Sequence, residues 1–241
     1  FEALDCFGNF FYGHGTDQVA EQPPSNPATG PLYVEGARAG DTLKITVLHI
    51  DLGEKGTIES VENCGCLGKR VQGTQYKIVY LYPGYADYGP ELQLPLEPMI
   101  GVIGVAAPGT GVTTLSPGRH GGNLDCADIR EGATLYLPVF CDGGLLALGD
   151  LHGIMGDGEI GYSGLETDGR VTLQVELIKE YPIASPLVYD GQRLYTLHSE
   201  ETLDQGAEEV SLAMHDFLCS KGEMAVPGVV RLLRLVGRLG I

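Results

Sequence analysis

Residues 42–50, TLKITVLHI, decide the fold. Leu43, Ile45 and Val47 fall on one side of an extended chain, with Thr42, Lys44 and Thr46 on the other. Side chains alternate with period two along a strand, so this stretch reads as a half-buried β-strand with one apolar face. Residues 170–179, RVTLQVELIK, repeat the pattern with Val171, Leu173, Val175 and Leu177 inward. Further strands are expected at 31–35, 71–81, 99–107, 134–140, 145–148 and 194–198, where apolar runs are bounded by turn-forming residues. Residues 22–30, QPPSNPATG, read as a loop, because the prolines and the Asn26-Pro27 step oppose pairing. Helical spacing appears only toward the end: Val210, Ala213, Met214, Phe217 and Leu218 share one helix face. A second helix is expected from about Val229, with Arg231, Arg234 and Arg238 on its solvent side.

Runs of strands without alternating helices predict a mainly β fold of packed antiparallel sheets, a sandwich or distorted barrel, with a short helical C-terminal part. Two β-rich sub-domains are expected, 1–100 and 101–241, the second carrying the terminal helices. At 241 residues with 43% apolar content the chain can bury a sizeable core, and its 36 glycines suit a fold rich in tight turns.

The formal net charge of −17 argues against a phosphate backbone or an anionic membrane surface as partner. It favours a neutral or cationic small ligand, or a metal ion. No apolar run approaches the ~18 residues that span a bilayer. The start, FEALDCFGNFF, lacks the basic and apolar regions of a signal peptide. The six cysteines read as mostly reduced thiols, so a cytoplasmic protein is expected.

The densest polar segment is GDLHGIMGDGEIGYSGLE, residues 149–166, which holds Asp150, His152, Asp157, Glu159 and Glu166. Asp150 and His152 are two apart and on an extended backbone point the same way, a carboxylate and an imidazole suited to zinc. The bland alternative is an acidic, solvated hairpin loop. A second group, HGGNLD at 120–125, sets Asn123 and Asp125 at the same spacing. Asn123 can donate to and accept from an amide, and Asp125 can supply a metal oxygen; an Asn/Asp turn opening a strand is the simpler account. Glu35 stands before a turn, where a surface role is commoner. Cys6 beside Asp5 is a thiol that a lowered pKa would make nucleophilic, or else a small buried hydrophobe.

Three patterns carry less than they suggest. Gly156-x-Gly158-x-x-Gly161 has no strand-to-helix context for a dinucleotide. Cys64-x-Cys66 lacks a second ligand pair for structural zinc. No Gly-x-Ser-x-Gly nucleophile elbow is present.

Several stretches resemble the acetamidase/formamidase family. They are Asp5-Cys6-Phe7 with Asn9; NPATGPLYVEGA at 26–37 followed by Gly40-Asp41; HGGNLD at 120–125; LYLPV at 135–139; and GDLH with GDGE between 149 and 159. The resemblance implies a β-rich two-part fold, a homodimer, a bound divalent cation such as zinc or calcium, and hydrolysis of short amides to ammonia and a carboxylate. Within these motifs Asp125, Asp150 and His152 are expected to hold the metal. Glu159 would be the general base, Glu35 a second catalytic carboxylate, and Asn123, Cys6 and Glu166 would contact substrate. Two departures stand beside His152, where Gly153 and Met155 replace the family's Ala and Gln. Residue 1 falls inside a motif and the family is expected to continue past residue 241, so segments at both ends are expected beyond this sequence. Two other readings stay open: a non-catalytic β-rich binder with structural calcium, and a hydrolase of a different C–N bond.

Overall fold

The alternation at residues 42–50 does open a strand, and that strand runs on to Val61. A computed structural model describes residues 1–16, 23–109, 111–222 and 224–240. The N-terminal part holds β1 (Glu2–Ala3), α1 (Phe10–His14), β2 (Ala28–Leu32) and β3 (Thr42–Val61). A meander follows, β4 (Thr74–Tyr82), β5 (Tyr85–Gly89) and β6 (Leu92–Pro95), and then β7 (Met99–Gly104), β8 (Pro117–Gly118) and β9 (Gly121–Asn123). Next come β10 (Thr134–Pro138), β11 (Leu146–His152), β12 (Glu166–Ile178), β13 (Leu187–Tyr189) and β14 (Leu194–Thr196), with α2 (Leu203–Ser220) and α3 (Val226–Val236) at the end.

The fold is mainly β, 38% strand against 16% helix, as the alternating pattern implied. Its sheet is antiparallel and does not close into a barrel; its main path runs β14-β13-β10-β3-β12-β11-β7-β9-β8. β3 is the hub: β12 pairs along it from Thr42 to Thr57, while β10 takes its other edge at the start and β4 at the end. Hydrogen bonding therefore crosses residue 100, since β12 lies alongside β3 for almost its whole length.

The DLGEKG stretch, residues 51–56, looks like a turn but stays in the strand, because its glycines admit close neighbours. A Cβ on Gly56 would stand 2.7 Å from the Glu166 carbonyl oxygen, and one on Gly53 would strike the Asp168 carboxylate. Leu43, Ile45 and Val47 are buried as the alternation requires, against Leu135 and Leu137 of β10, Leu148 and Leu151 of β11, and Val171 of β12. Each such side chain contributes about 1.5–3 kcal/mol by leaving water. Leu173, Val175 and Leu177 pack half-buried on the same core.

Most expected strands shift at their ends by a few residues, and two boundaries differ for a reason that the residues show. The strand expected at 31–35 is β2, Ala28–Leu32, so part of the proline-rich loop pairs after all: Ala28 opposes Gly149, and Thr29 opposes Leu148. Gly149 permits this, since any side chain there would strike the Pro27 carbonyl. Gln22, at the start of that loop, lies outside the described residues. The second helix starts at Val226 rather than near Val229, because Pro227 sits in its first turn, where a missing N–H costs nothing. Arg231 and Arg234 are exposed on it, while Arg238 lies beyond its end. α2 turns Val210, Ala213, Met214, Phe217 and Leu218 inward as its spacing predicts, and Thr196 Oγ1 of β14 donates to the Val210 carbonyl at 3.1 Å. Among the described residues no helix is long and apolar enough to cross a membrane.

The turn before β3 is tied down by Asp41, only 3% exposed. Its carboxylate accepts from the Arg38 and Glu180 backbone N–H groups at 2.8 and 2.9 Å and from Lys179 Nζ at 2.7 Å. The Lys179 ammonium, then the Glu180 N–H, hold its pKa down at about 2, against an ordinary 3.8. A depressed carboxylate pKa contributes stability above the unfolded value and loses it as pH falls through the folded value. Asp41→Asn is therefore expected to lower the melting temperature at pH 7 by about 2–4 °C, a modest loss because Lys179 is half-exposed. The gap from the parent should close between about pH 4 and pH 2. A gap unchanged across that range, followed by calorimetry, would contradict this role.

Candidate functional site

β11 and β12 meet where His152 pairs in antiparallel register with Glu166. Directly opposed residues bring their side chains together on one face. His152 Nε2 lies 3.0 Å from Glu166 Oε2, 3.5 Å from Asp150 Oδ1 and 3.9 Å from Asp125 Oδ1. His152, Asp150 and Glu166 are each 3% exposed or less.

Asp150 reaches this point by an unexpected route. Strand spacing alone would set it beside His152 on an extended backbone, yet its φ is +54°, a left-handed kink inside β11. Asp125 (φ +38°) and Glu159 (φ +41°) are likewise left-handed. Such conformations cost energy in non-glycine residues and gather at functional sites. Asp125 is fixed because its own N–H and that of Leu124 both donate to the Gly101 carbonyl of β7, at 3.2 and 2.9 Å. Gly101 must lack a side chain: a Cβ there would stand 2.7 Å from Asp125 Oδ1 and 2.8 Å from Asp150 Oδ2. Gly164 has the same duty for the imidazole, 2.6 Å from His152 Nδ1 on the same construction.

Two triads make up the cluster. Cys6 Sγ and one oxygen each of Asp150 and Glu166 lie within 4.8 Å of one another, as do a His152 ring nitrogen and one oxygen each of Asp125 and Glu159. Cys6 and Glu166, expected on the substrate side, thus sit with Asp150. Asn123 stands beside them: Asn26 Nδ2 donates to Asn123 Oδ1 at 2.8 Å and reaches Asp150 Oδ2 at 3.3 Å. Neither Asn26 nor Ser163 is expected at the site from sequence. The Ser163 hydroxyl donates to Glu166 Oε1 at 3.1 Å and accepts from the Glu59 N–H at 3.2 Å. No local pattern marks either residue, since both act across more than 95 positions or from inside a glycine-rich loop.

Glu35 is not brought to the cluster. It lies exposed in the turn before β3, beside Gly36, whose carbonyl accepts from Lys179 Nζ at 2.8 Å. β12 runs from Glu166 to Ile178, so that turn stands at the far end of a strand roughly 40 Å long. The catalytic role expected of Glu35 is corrected on that ground.

The cluster carries too much negative charge for its surroundings. Burial, with Glu159 adding to it, pushes Asp125 up to about 7; burial also raises Glu159 and Glu166. Burial opposes ionisation of Asp150, but the His152 imidazole outweighs it and holds that carboxyl below its usual range. His152 is drawn well above its ordinary value, burial being outweighed by Glu166 and Asp150. Burial and the same two carboxylates push the Cys6 thiol far up. Asp125 Oδ1, Asp150 Oδ1 and Glu166 Oε2 are buried and accept no well-formed hydrogen bond; the one cationic group facing all three is the His152 imidazole, at 3.0–3.9 Å. Unpaired buried oxygens cost several kcal/mol unless a cation or donor meets them. Carboxylates, an imidazole and a thiol form a donor set that fits a divalent ion.

The loop carrying Glu159 is propped from outside. Cys66 N–H donates to the Ile160 carbonyl at 2.9 Å, and a Cβ on Gly65 would stand 2.7 Å from that oxygen. The Cys64-x-Cys66 stretch is thus a seat for the site loop.

A solved acetamidase from Bacillus halodurans is 41% identical, with a TM-score of 0.92, and the alignment covers 100% of this chain and 83% of that one. The chain belongs to the acetamidase/formamidase family. The profile of that family matches residues 105–198, the span that carries Asn123, Asp125, Asp150, His152, Glu159 and Glu166. A solved structure described as a predicted acetamidase/formamidase, from Thermoanaerobacter tengcongensis, is 40% identical with a TM-score of 0.92, covering 97% of this chain and 78% of that one. The acetamidase of Mycolicibacterium smegmatis is 27% identical over 246 residues, 73% of this chain and 60% of that protein. The chain thus spans about 60% of the length of that curated relative.

Proposed function

We propose that this chain is a divalent-metal amidohydrolase that splits linear aliphatic amides, formamide, acetamide or a longer homologue, into ammonia and a carboxylate. The observation that carries the reading is the excess of buried carboxylates, Asp125, Asp150 and Glu166, gathered around one imidazole nitrogen, His152 Nε2. The names of the relatives point to the same chemistry.

Asp125, Asp150, His152 and Glu166 would hold the ion, with Cys6 on its buried side. When bound, a divalent ion polarises an amide carbonyl and makes water a stronger acid. Glu159 is half-buried on the loop side, with its pKa raised by burial, which suits a general base working near neutrality. It takes a proton from the attacking water as the new C–O bond forms, and delivers it to the amide nitrogen as the C–N bond breaks. Asn26 occupies Asn123 Oδ1, which leaves the Asn123 NH2 to donate to the substrate carbonyl. The family resemblance extends the proposal to a cytoplasmic homodimer, and the six free thiols suit a reducing compartment.

The oxygen-rich donor set also suits calcium, so a structural ion in a non-catalytic binder is the second reading. Ammonia release from formamide, acetamide and propionamide separates the two. The expected result is release that stops on chelation and returns with zinc. Release that survives full removal of metal would discard the metal role. Loaded, folded protein that hydrolyses no amide, and that calcium alone stabilises, would favour the binder.

A further inference from the structure

The loop that joins β3 to β4 carries two thiols with no part in amide hydrolysis, in the stretch Cys64-Gly65-Cys66. Both are free; Cys66 is exposed and Cys64 half-buried. Gly65 between them has a φ of +64°, so the chain bends there, and the Gly68 N–H closes the bend by donating to the Gly65 carbonyl at 3.3 Å. Cα atoms two residues apart lie within about 7 Å even on a straight chain, and a bend brings them closer. A disulfide spans Cα separations of about 4.4–6.8 Å, so these two thiols are within bridging range.

The same residues seat the loop that carries Glu159. The Cys66 N–H donates to the Ile160 carbonyl at 2.9 Å. A Cβ on Gly65 would stand 2.7 Å from that oxygen, 3.1 Å from the Gly161 carbonyl carbon and 3.2 Å from the Tyr162 nitrogen. The site loop therefore lies directly on the bend between the two thiols. Ile160 follows Glu159 in sequence, and the Tyr162 N–H donates back to the Glu159 carbonyl at 2.9 Å. The left-handed backbone of Glu159, φ +41°, is thus held one residue away from this seat.

We infer that Cys64 and Cys66 form a modification site for small-molecule disulfides, and that oxidation there unseats the Glu159 loop and slows the enzyme. The slowing rests on the amide-hydrolysis reading; the modification does not. Cys66, the exposed thiol, gives its proton to water and attacks one sulfur of the disulfide. That S–S bond breaks, one thiolate leaves, and a mixed disulfide forms at Cys66. Cys64 in turn loses its proton and attacks the Cys66 sulfur, which expels the second thiolate and closes the Cys64–Cys66 bond. One disulfide is reduced to two thiols while two thiols are oxidised to one disulfide. Lys69 and Arg70, both exposed in the next turn, favour an acidic disulfide such as oxidised glutathione. Closing the bond draws the two Cβ atoms together, and the backbone at Gly65 takes up the change. The Cys66 N–H then leaves the Ile160 carbonyl, and the loop loses its seat.

The test treats the full, metal-loaded chain with oxidised glutathione and then with dithiothreitol. It reads a non-reducing peptide map, cutting after Glu159 by a glutamate-specific protease, and ammonia release from acetamide. The map is expected to show a Cys64–Cys66 disulfide, and the cut after Glu159 to become faster. Ammonia release should fall at least about 10-fold, since misplacing catalytic geometry by ~1 Å can cost 100-fold. Dithiothreitol should reverse the disulfide and restore the rate. The double variant Cys64→Ser/Cys66→Ser keeps the backbone of the seat, so it should hydrolyse as the parent does and ignore the oxidant. Cys64→Ser alone should stop at a glutathione adduct on Cys66. If the double variant does not fold, Cys66→Ser decides, because it removes the attacking thiol. Modification found only at other cysteines, inactivation that persists in the serine variants, or a Cys64–Cys66 disulfide that leaves cutting and turnover unchanged overturns the inference. A parent that releases no ammonia before oxidation counts against the amidase reading alone, because the map and the protease still decide the site.

Discussion

Changing Asp150 to asparagine is expected to empty the cluster of its ion and to lower amide turnover by about 100-fold or more. Loss of groups that merely support a metal ligand already costs roughly 10–100-fold, and Asp150 lies in contact with both halves of the cluster. Asparagine keeps the volume and tolerates the +54° φ at this position, so the backbone should hold. What changes is one negative charge. A second readout follows from that charge. In the chelated parent, four carboxylates crowd one imidazole, and Asp125 and Glu166 respond with raised pKa values. Asp150 differs: His152 holds it below its usual range, so its ionised carboxylate stabilises the metal-free fold, and the chelated variant should melt lower than the chelated parent. With excess zinc the gap should widen, because only the parent gains the binding energy of the ion. Metal content by mass spectrometry and two melting curves check both statements. A variant that keeps one ion per chain would remove Asp150 from the ligand set.

Glu159→Gln is the second large effect, and it should separate base from ligand. Glutamine preserves the shape of the loop but takes no proton at neutral pH. The expected outcome is a kcat lower by about 100- to 10,000-fold, with metal content and melting temperature near those of the parent. Glu159 also stands within 4.8 Å of its Asp125 and His152 partners, close enough to bind the ion itself. Loss of the ion together with activity would therefore assign Glu159 as a ligand, and parental turnover would discard it as the base.

The residues explain why some of this was legible in the sequence. Leu43, Ile45 and Val47 announce β3 because a half-buried strand writes its burial into every second position. Beyond Ile50 the alternation stops, and Gly53 and Gly56 fit the strand because the Asp168 carboxylate and the Glu166 carbonyl press against them from β12. Asp150 and His152 were found by their spacing, though the left-handed kink that joins them is not written in any local pattern. Glu166 is legible as part of the same polar segment, but its place opposite His152 is not, because strand register, and not distance along the chain, sets it there. Glu35 misled for the converse reason. It lies in a stretch of strong resemblance, yet that stretch serves the Asp41 turn, at the other end of β12.

The central place of β3 also bears on how the molecule is made. Its partner β4 follows within a short loop, but β12 ends 117 positions after β3 does. At ribosomal rates that delay is on the order of ten seconds, during which one edge of an apolar 20-residue strand waits for its neighbour. Contacts so distant along the chain also slow the search for the native state. Newborn chains should therefore depend on chaperones at this stage, and cool, slow expression should raise the yield of soluble protein.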